Sequence, residues 1–350
     1  MNKAFMKACR DGDIKKVKYM VKGKFCVKYY NIGIQHASEN GHLKVVKYLI
    51  RAGCDPKAGH DCSIRFASSN GHLKVVKYLT EIGCDPTTHN NHAIIMASEY
   101  GYLEVVKYLF ELSCNPKADH NRSIRMASEN GHLEVVKYLS EIGCDPKAID
   151  NYAIRWAANK GQLEVVKYLY ELGCDPTADN NAAIRWAAED GHLEVVKYLI
   201  KLQCDPTSCD FYAIRYASQN GHLEVVKYLA KFCYDLCAHD AWAIKKSAEN
   251  GHMDVVRFLI NHNHIYSSIN EAYLLCWAVE NDHLDMVKYL YELGRDYEYV
   301  TKSLKYEVLC ECKNKLIAFM QIRDNNYLKM EILKVMFPEF TEFEIMKTLC

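Results

Sequence analysis

Histidines stand at His42, His72, His132, His192, His222 and His252, and cysteines at Cys54, Cys84, Cys114, Cys144, Cys174 and Cys204. These residue types hold metals and act as nucleophiles, and here both fall on one 30-residue register. Metal ligands must lie ~2.1 Å from a shared ion, so histidines one repeat apart cannot converge, and a structural role near a helix start is expected. Stacked helices lie ~8 to 10 Å apart, whereas a disulfide needs Cα atoms within about 7 Å. The cysteine ladder is therefore read as small, buried, reduced residues of a cytosol-like compartment. His262, His264 and Cys276 form a second cluster, and Cys310 and Cys312 a close pair, but neither has metal-site spacing. No Ser-His-Asp set, Walker loop or pair of catalytic carboxylates stands out from the register. No catalysis, metal or cofactor is expected.

The elements that must position these residues are set by repetition. Val-Val-Lys-Tyr-Leu recurs seven times, beginning at Val45, Val75, Val105, Val135, Val165, Val195 and Val225. A period in this range marks stacked supersecondary units, each touching its neighbours, with long surfaces and no central pocket. Within 151–180, Ala153-Ile154-Arg155-Trp156-Ala157-Ala158 predicts a first helix that Gly161 ends. From Gln162 a second helix is predicted, with Leu163, Val165, Val166, Leu169, Tyr170 and Leu172 on an apolar arc. Gly173 supplies the positive φ of a helix end, and Pro176 blocks continuation.

Lys plus Arg and Asp plus Glu each total 44, so whole-chain charge points to neither nucleic acid nor an anionic membrane. Residues 1–30 carry nine Lys or Arg against Asp11 and Asp13, read as the solvated face of a terminal cap. The first residues lack a signal peptide's apolar core, and no apolar run reaches the ~20 residues of a membrane span. A soluble, cytoplasmic monomer is expected.

The repeat resembles the ankyrin family. Ala187-Ala188-Glu189-Asp190-Gly191-His192-Leu193-Glu194-Val195-Val196 and the later Gly143-Cys144-Asp145 carry the resemblance, which extends over about residues 3 to 294. It implies an all-α, ankyrin-type solenoid of about ten helix-turn-helix repeats over 1–294, closed by a helical cap at 295–350. Ankyrin repeats usually run 33 residues and open on Thr-Pro-Leu-His. Here Ser-Ile-Arg or Ala-Ile-Arg stands instead, and the finger between repeats is shortened. Arg65, Arg125, Arg155, Arg185 and Arg215 replace the histidine, which implies loss of the hydrogen bonds that the threonine and histidine usually supply. This variety is similar to the ankyrin proteins of mimivirus-like giant viruses, which implies a viral protein with a host partner.

The resemblance also places Phe66, Met96, Met126, Trp156, Trp186 and Tyr216 in the core between helices. Four residues earlier the repeat changes type, from Cys62 through His92, Arg122, Tyr152, Ala182 and Tyr212 to Trp242. Framework positions are copied, and these are not. With Tyr100 and Lys160 before the glycines, His92, Arg122, Tyr152, Tyr212 and Trp242 are the expected partner-binding residues of the concave face, in types common at interface hot spots. The function expected is non-catalytic protein binding on that face and its loops. A second reading rests on residues 328–340, where Leu328, Glu331, Ile332, Leu333 and Met336 resemble part of an F-box, as in poxvirus ankyrin proteins. That resemblance implies a substrate adaptor for a host ubiquitin ligase.

Overall fold

The structure, a computed structural model, describes residues 2–21, 27–232 and 242–262 and scattered positions between 274 and 290. Among the described residues there are 18 helices and no strand. The chain divides into two compact units, one of residues 1–184 and 197–204, the other of residues 185–196 and 205–350. The cap expected at 295–350, the segment 328–340, His264, Cys276, Cys310 and Cys312 lie outside the described residues.

In the first unit each repeat pairs a first helix, such as Ala118–Glu129, with a second, such as Leu133–Glu141. Ser123, Ile124, Ala127 and Ser128 are buried on the first, and Val135, Val136 and Leu139 on the second. Each of these larger apolar side chains contributes ~1.5 to 3 kcal/mol by leaving water. The small residues let neighbouring first helices approach, and the Ser128 hydroxyl donates to the Ile124 carbonyl at 2.7 Å, so its burial leaves no donor unmet. The same pattern is copied at Ser68 and Ser98.

Both helices of a repeat end on the same device. After Leu163–Glu171, the Gly173 amide bonds the Tyr170 carbonyl and the Cys174 amide bonds the Leu169 carbonyl, with Gly173 at φ 77°. This is the Schellman arrangement, and it carries Cys174 into the core at 2% exposure. After the first helix, Gly101 at φ 80° repeats it, and a Cβ there would also come within 2.4 Å of the His132 ring.

Where the finger is short, three consecutive residues adopt left-handed geometry, as at Asp119, His120 and Asn121 with φ of 52°, 54° and 59°. Asn and Asp tolerate that region better than other side-chain-bearing residues. The third residue then ties the next repeat: Asn91, Asn121 and Asn151 accept through Oδ1 from the amides of Asn115, Asp145 and Asp175 at 2.7–2.9 Å. Arginine holds the turn from inside. Arg125 donates from Nε and Nη2 to the carbonyls of His120 and Asp119, and Arg155 likewise to Asp150 and Ile149. In place of the bonds that the threonine and histidine would supply, the guanidinium makes its own, to turn carbonyls five and six residues back.

The second unit repeats the plan with Ser208–Gln219, Leu223–Leu229, Trp242–Glu249 and Met253–His262. Ile214, Val225, Val226, Ile244, Val255 and Val256 form its core. There the Ser247 hydroxyl faces the carbonyls of Ala243 and Ser218, the latter in the preceding repeat.

Two sequence expectations fail on helical angle. Ile64, Ala67 and Ser68 fill the inter-helix contact, and Phe66, about 200° from Ile64 at ~100° per residue, faces out at 39% exposure. Met96, Met126, Trp156, Trp186 and Tyr216 are likewise half-buried rather than core. Tyr170, placed on the apolar arc by sequence, is 41% exposed, because Val165, Val166 and Leu169 already fill the contact.

Candidate functional site

The histidine ladder is structural in its geometry. His42 donates from Nε2 to the Arg10 carbonyl at 2.8 Å and His72 to the Glu39 carbonyl at 2.9 Å, each reaching back to the preceding repeat. Their rings sit where a Cβ on Gly12 or Gly41 would collide. The cysteine ladder is buried and unpaired, and burial pushes the thiols of Cys54, Cys84, Cys114, Cys174 and Cys204 up to about 12. Such thiols stay protonated at neutral pH and are poor nucleophiles. Among the described residues no group of three or more His, Cys, Asp or Glu could hold a metal. No helix among them is long and apolar enough to cross a membrane.

What remains is the face of the first helices. In the first unit, Tyr152 stacks on Trp156 with centroids 5.5 Å apart and planes 25° apart. The Arg125 guanidinium lies 4.8 Å over Tyr152, and Lys160 Nζ lies 5.8 Å over Trp156. Tyr152, Trp156 and Lys160 follow at i, i+4 and i+8, so one helix aligns them. The Tyr152 hydroxyl donates to Glu129 Oε2 at 3.1 Å. Burial, then Glu129, pushes its phenol up to about 12, so it remains a donor at neutral pH. Tyr100 is 50% exposed, and Arg122 and Lys160 are also exposed.

The second unit builds a related cluster. Tyr212 stacks on Tyr216 at 4.0 Å, and Tyr216 meets Trp242 at 5.2 Å. Arg185 lies 5.1 Å over Tyr212 and Arg215 4.5 Å over Trp242. The Tyr212 hydroxyl donates to Glu189 at 2.8 Å. These rings are half-buried and held on several sides, so little side-chain freedom remains for a partner to quench.

A family model described as Ankyrin repeats (3 copies) matches residues 34–123, 64–150, 124–210, 154–240 and 214–301. The chain belongs to the ankyrin-repeat family. A search of curated proteins finds no match. Ankyrin repeats generally mediate protein–protein interaction and typically work as non-enzymatic scaffolds. In this ankyrin array, Tyr152 and Lys160 meet around Trp156 in one cluster and Tyr212 with Trp242 in another, while His92 and Arg122 hold the Tyr152 register position in the two preceding repeats, Arg122 near enough to act on the Tyr152 phenol. Sequence reasoning missed Arg125, Arg185, Arg215, Glu129, Glu189 and Trp156 as parts of the face. The signal was a fixed offset: Arg125 to Tyr152, Arg185 to Tyr212 and Arg215 to Trp242 are equally spaced, as are Glu129 to Tyr152 and Glu189 to Tyr212.

Elsewhere, Lys3, Met6, Lys7 and Arg10 of the first helix and Asp11 just after it line an open cleft of about 410 Å³.

Proposed function

We propose that this ankyrin protein is a non-catalytic scaffold whose polypeptide partner docks on the first-helix face and the adjoining left-handed turns. The carrying observation is the Arg125–Tyr152–Trp156–Lys160 stack, aromatic and cationic groups half-exposed yet fixed from behind by Glu129. Tyr, Trp and Arg held in place are what interface hot spots use, because burial of their large faces costs little ordering. The second-helix face also places Lys over Tyr, Lys77 over Tyr108 at 5.2 Å and Lys107 over Tyr138 at 6.0 Å, but these groups are copied from repeat to repeat, and Lys107, Lys137 and Lys167 pair with Glu104, Glu134 and Glu164 in exposed ion pairs of small energetic weight. A reducing, cytoplasm-like setting fits the unpaired cysteine ladder, and a viral origin with a host partner rests on the repeat string alone.

The test is affinity purification from expressing cells with mass spectrometry, comparing the natural chain with Tyr152→Ala/Tyr212→Ala/Trp242→Ala. The triple variant should lose the enriched partner while retaining helical circular dichroism. Glu134→Gln/Lys137→Gln on the second helices should retain the partner. Undiminished capture by the triple variant removes this face.

A further inference from the structure

The second residue of each second helix changes sign along the array. In Ile14–Val21, Leu43–Arg51 and Leu73–Glu81 it is Lys15, Lys44 and Lys74, and these helices have no acidic residue in the first turn. From Leu103–Glu111 onward the same position holds Glu104, Glu134 and Glu164. The framework around it is copied, as in Val75-Val76-Lys77-Tyr78-Leu79 and Val105-Val106-Lys107-Tyr108-Leu109. The lysines run against helix electrostatics, because the partial positive charge of a helix N-terminus favours glutamate there and disfavours lysine. They also remove an ion pair. Glu104 meets Lys107 at 3.0 Å and Glu134 meets Lys137 at 2.8 Å, whereas Lys44 with Lys47 and Lys74 with Lys77 set like charges at i and i+3.

Three helices thus break a local rule at one copied position, and their packing does not require it: Val45, Val46, Val75 and Val76 are as buried as Val105 and Val106. Lys15, Lys44 and Lys74 are exposed, with no ion-pair partner among the described residues. Lys18, Lys47 and Lys77 lie over the rings of Tyr48, Tyr78 and Tyr108 at 5.8, 4.8 and 5.2 Å, contacts that hold the ammonium groups in place and leave their charge uncancelled. The result is two rows of three lysines across helices packed in order, one row a helical turn from the other. Within residues 13–21, 42–51 and 72–81 the carboxylates are Asp13, taken by Lys16 at 2.9 Å, and Glu81, two turns beyond Lys74.

We propose that the second-helix face of the first three repeats is a docking strip for an acidic polypeptide segment whose carboxylates stand three residues apart. Neighbouring helices pack ~8 to 10 Å apart, and a polyproline II chain presents the same face every three residues, about 9.3 Å along its axis, so one carboxylate meets one helix. The charge pattern also selects the shape of the ligand. A planar anionic membrane wide enough to cover the strip would press on Glu81 and, one helix further, on Glu104 and Glu111, all exposed, whereas a chain can follow the lysines alone. A nucleic-acid strand needs rings for its bases to stack on. Of the tyrosines on these three helices only Tyr19 is open, at 81% exposure, while Tyr48 and Tyr78 lie under lysines.

The probe is a fluorescent peptide of repeated Glu-Pro-Pro, titrated into the full chain and followed by anisotropy, with an oligothymidylate of equal charge and phosphatidylserine vesicles as parallel probes. Saturable binding of the peptide that weakens as salt rises is expected, tighter than to either parallel probe. Lys44→Glu/Lys74→Glu, which installs the residue that later repeats carry, should weaken it at least about ten-fold, with the thermal midpoint retained or raised because each new carboxylate suits its helix N-terminus. Lys44→Gln/Lys74→Gln, which removes charge without reversing it, should weaken it by less, and Glu104→Lys/Glu134→Lys, which lengthens the strip, should tighten it. Absence of saturation, unchanged affinity in both Lys44/Lys74 variants, or equal affinity for the oligonucleotide or the vesicles would overturn the strip. The inference goes beyond docking on the first-helix face and uses none of its residues, so failure of either leaves the other standing.

Discussion

Arg65 and Arg125 occupy one register position two repeats apart, and their surroundings differ completely. Arg125 bonds two turn carbonyls, lies over Tyr152 and stands beside a ring anchored by Glu129. Arg65 bonds one turn carbonyl and a thiol, and no ion pair or ring contact holds it among the described residues. The backbone around both is the same copied helix pair. One substitution pattern thus closes a stack over the arginine and the other leaves it on a turn carbonyl and a thiol, so side-chain surroundings vary while the framework is held constant.

The largest difference should appear in stability. Arg125→Ala removes two hydrogen bonds and a ring contact and is expected to cost ~2 to 3 kcal/mol in urea unfolding, while Arg65→Ala costs about 1 kcal/mol. Equal costs would mean that the stack contributes nothing. Next comes Tyr152→Phe, which strands the Glu129 contact and should cost ~1 kcal/mol. It should also flatten the alkaline limb, because a phenol raised from 10.0 to about 12 adds stability that is present below pH 10 and lost as pH rises towards 12. An unchanged alkaline limb in Tyr152→Phe would assign it to other groups.

A smaller effect is expected on the acid side. His92 has its folded pKa below the ordinary 6.5, so the folded state resists its protonation. The resulting stability is complete above about pH 6.5 and declines as pH falls through the lowered value. Ser69→Glu should shrink that decline by offering the imidazolium a carboxylate, as Glu129 offers Tyr152 an acceptor. Urea midpoints at pH 7 and pH 5 read the change, and a steeper decline in Ser69→Glu would contradict it. Thiol labelling should separate the two sites least in energy but clearly in rate. Cys144, buried, should react slowly until denaturant is added, whereas Cys62, half-exposed beside Arg65, should react in the native state. Fast native labelling of Cys144 would place it outside the core.

Much of the frame was legible because each punctuation mark has one physical use. Gly101 and Gly173 occur where positive φ is required, and Val165, Val166 and Leu169 occur where a second helix is buried. The cysteine ladder was legible for the same reason, since its register forbids pairing. The turn was not legible. A shortened finger says that residues are missing, but not that Asp119, His120 and Asn121 would enter left-handed geometry together, nor that Arg125 would hold them. The face was legible in part. Variation singled out Tyr152 and Tyr212, but Trp156 was assigned to the core by family likeness, and only the angle between Ile154 and Trp156 on the helix shows that it faces outward. Arg125 and Glu129 were invisible as site residues because their contacts cross from one repeat to the next.

The central claim is that the partner meets the first-helix face. Its most direct test is a photo-crosslinking amino acid placed singly at Tyr100, at Lys160 and, on the second helices, at Glu134, all exposed and none part of the core. Irradiation in expressing cells should give a partner adduct from positions 100 and 160 and none from 134. An adduct from position 134 with none from 100 or 160 would contradict the account.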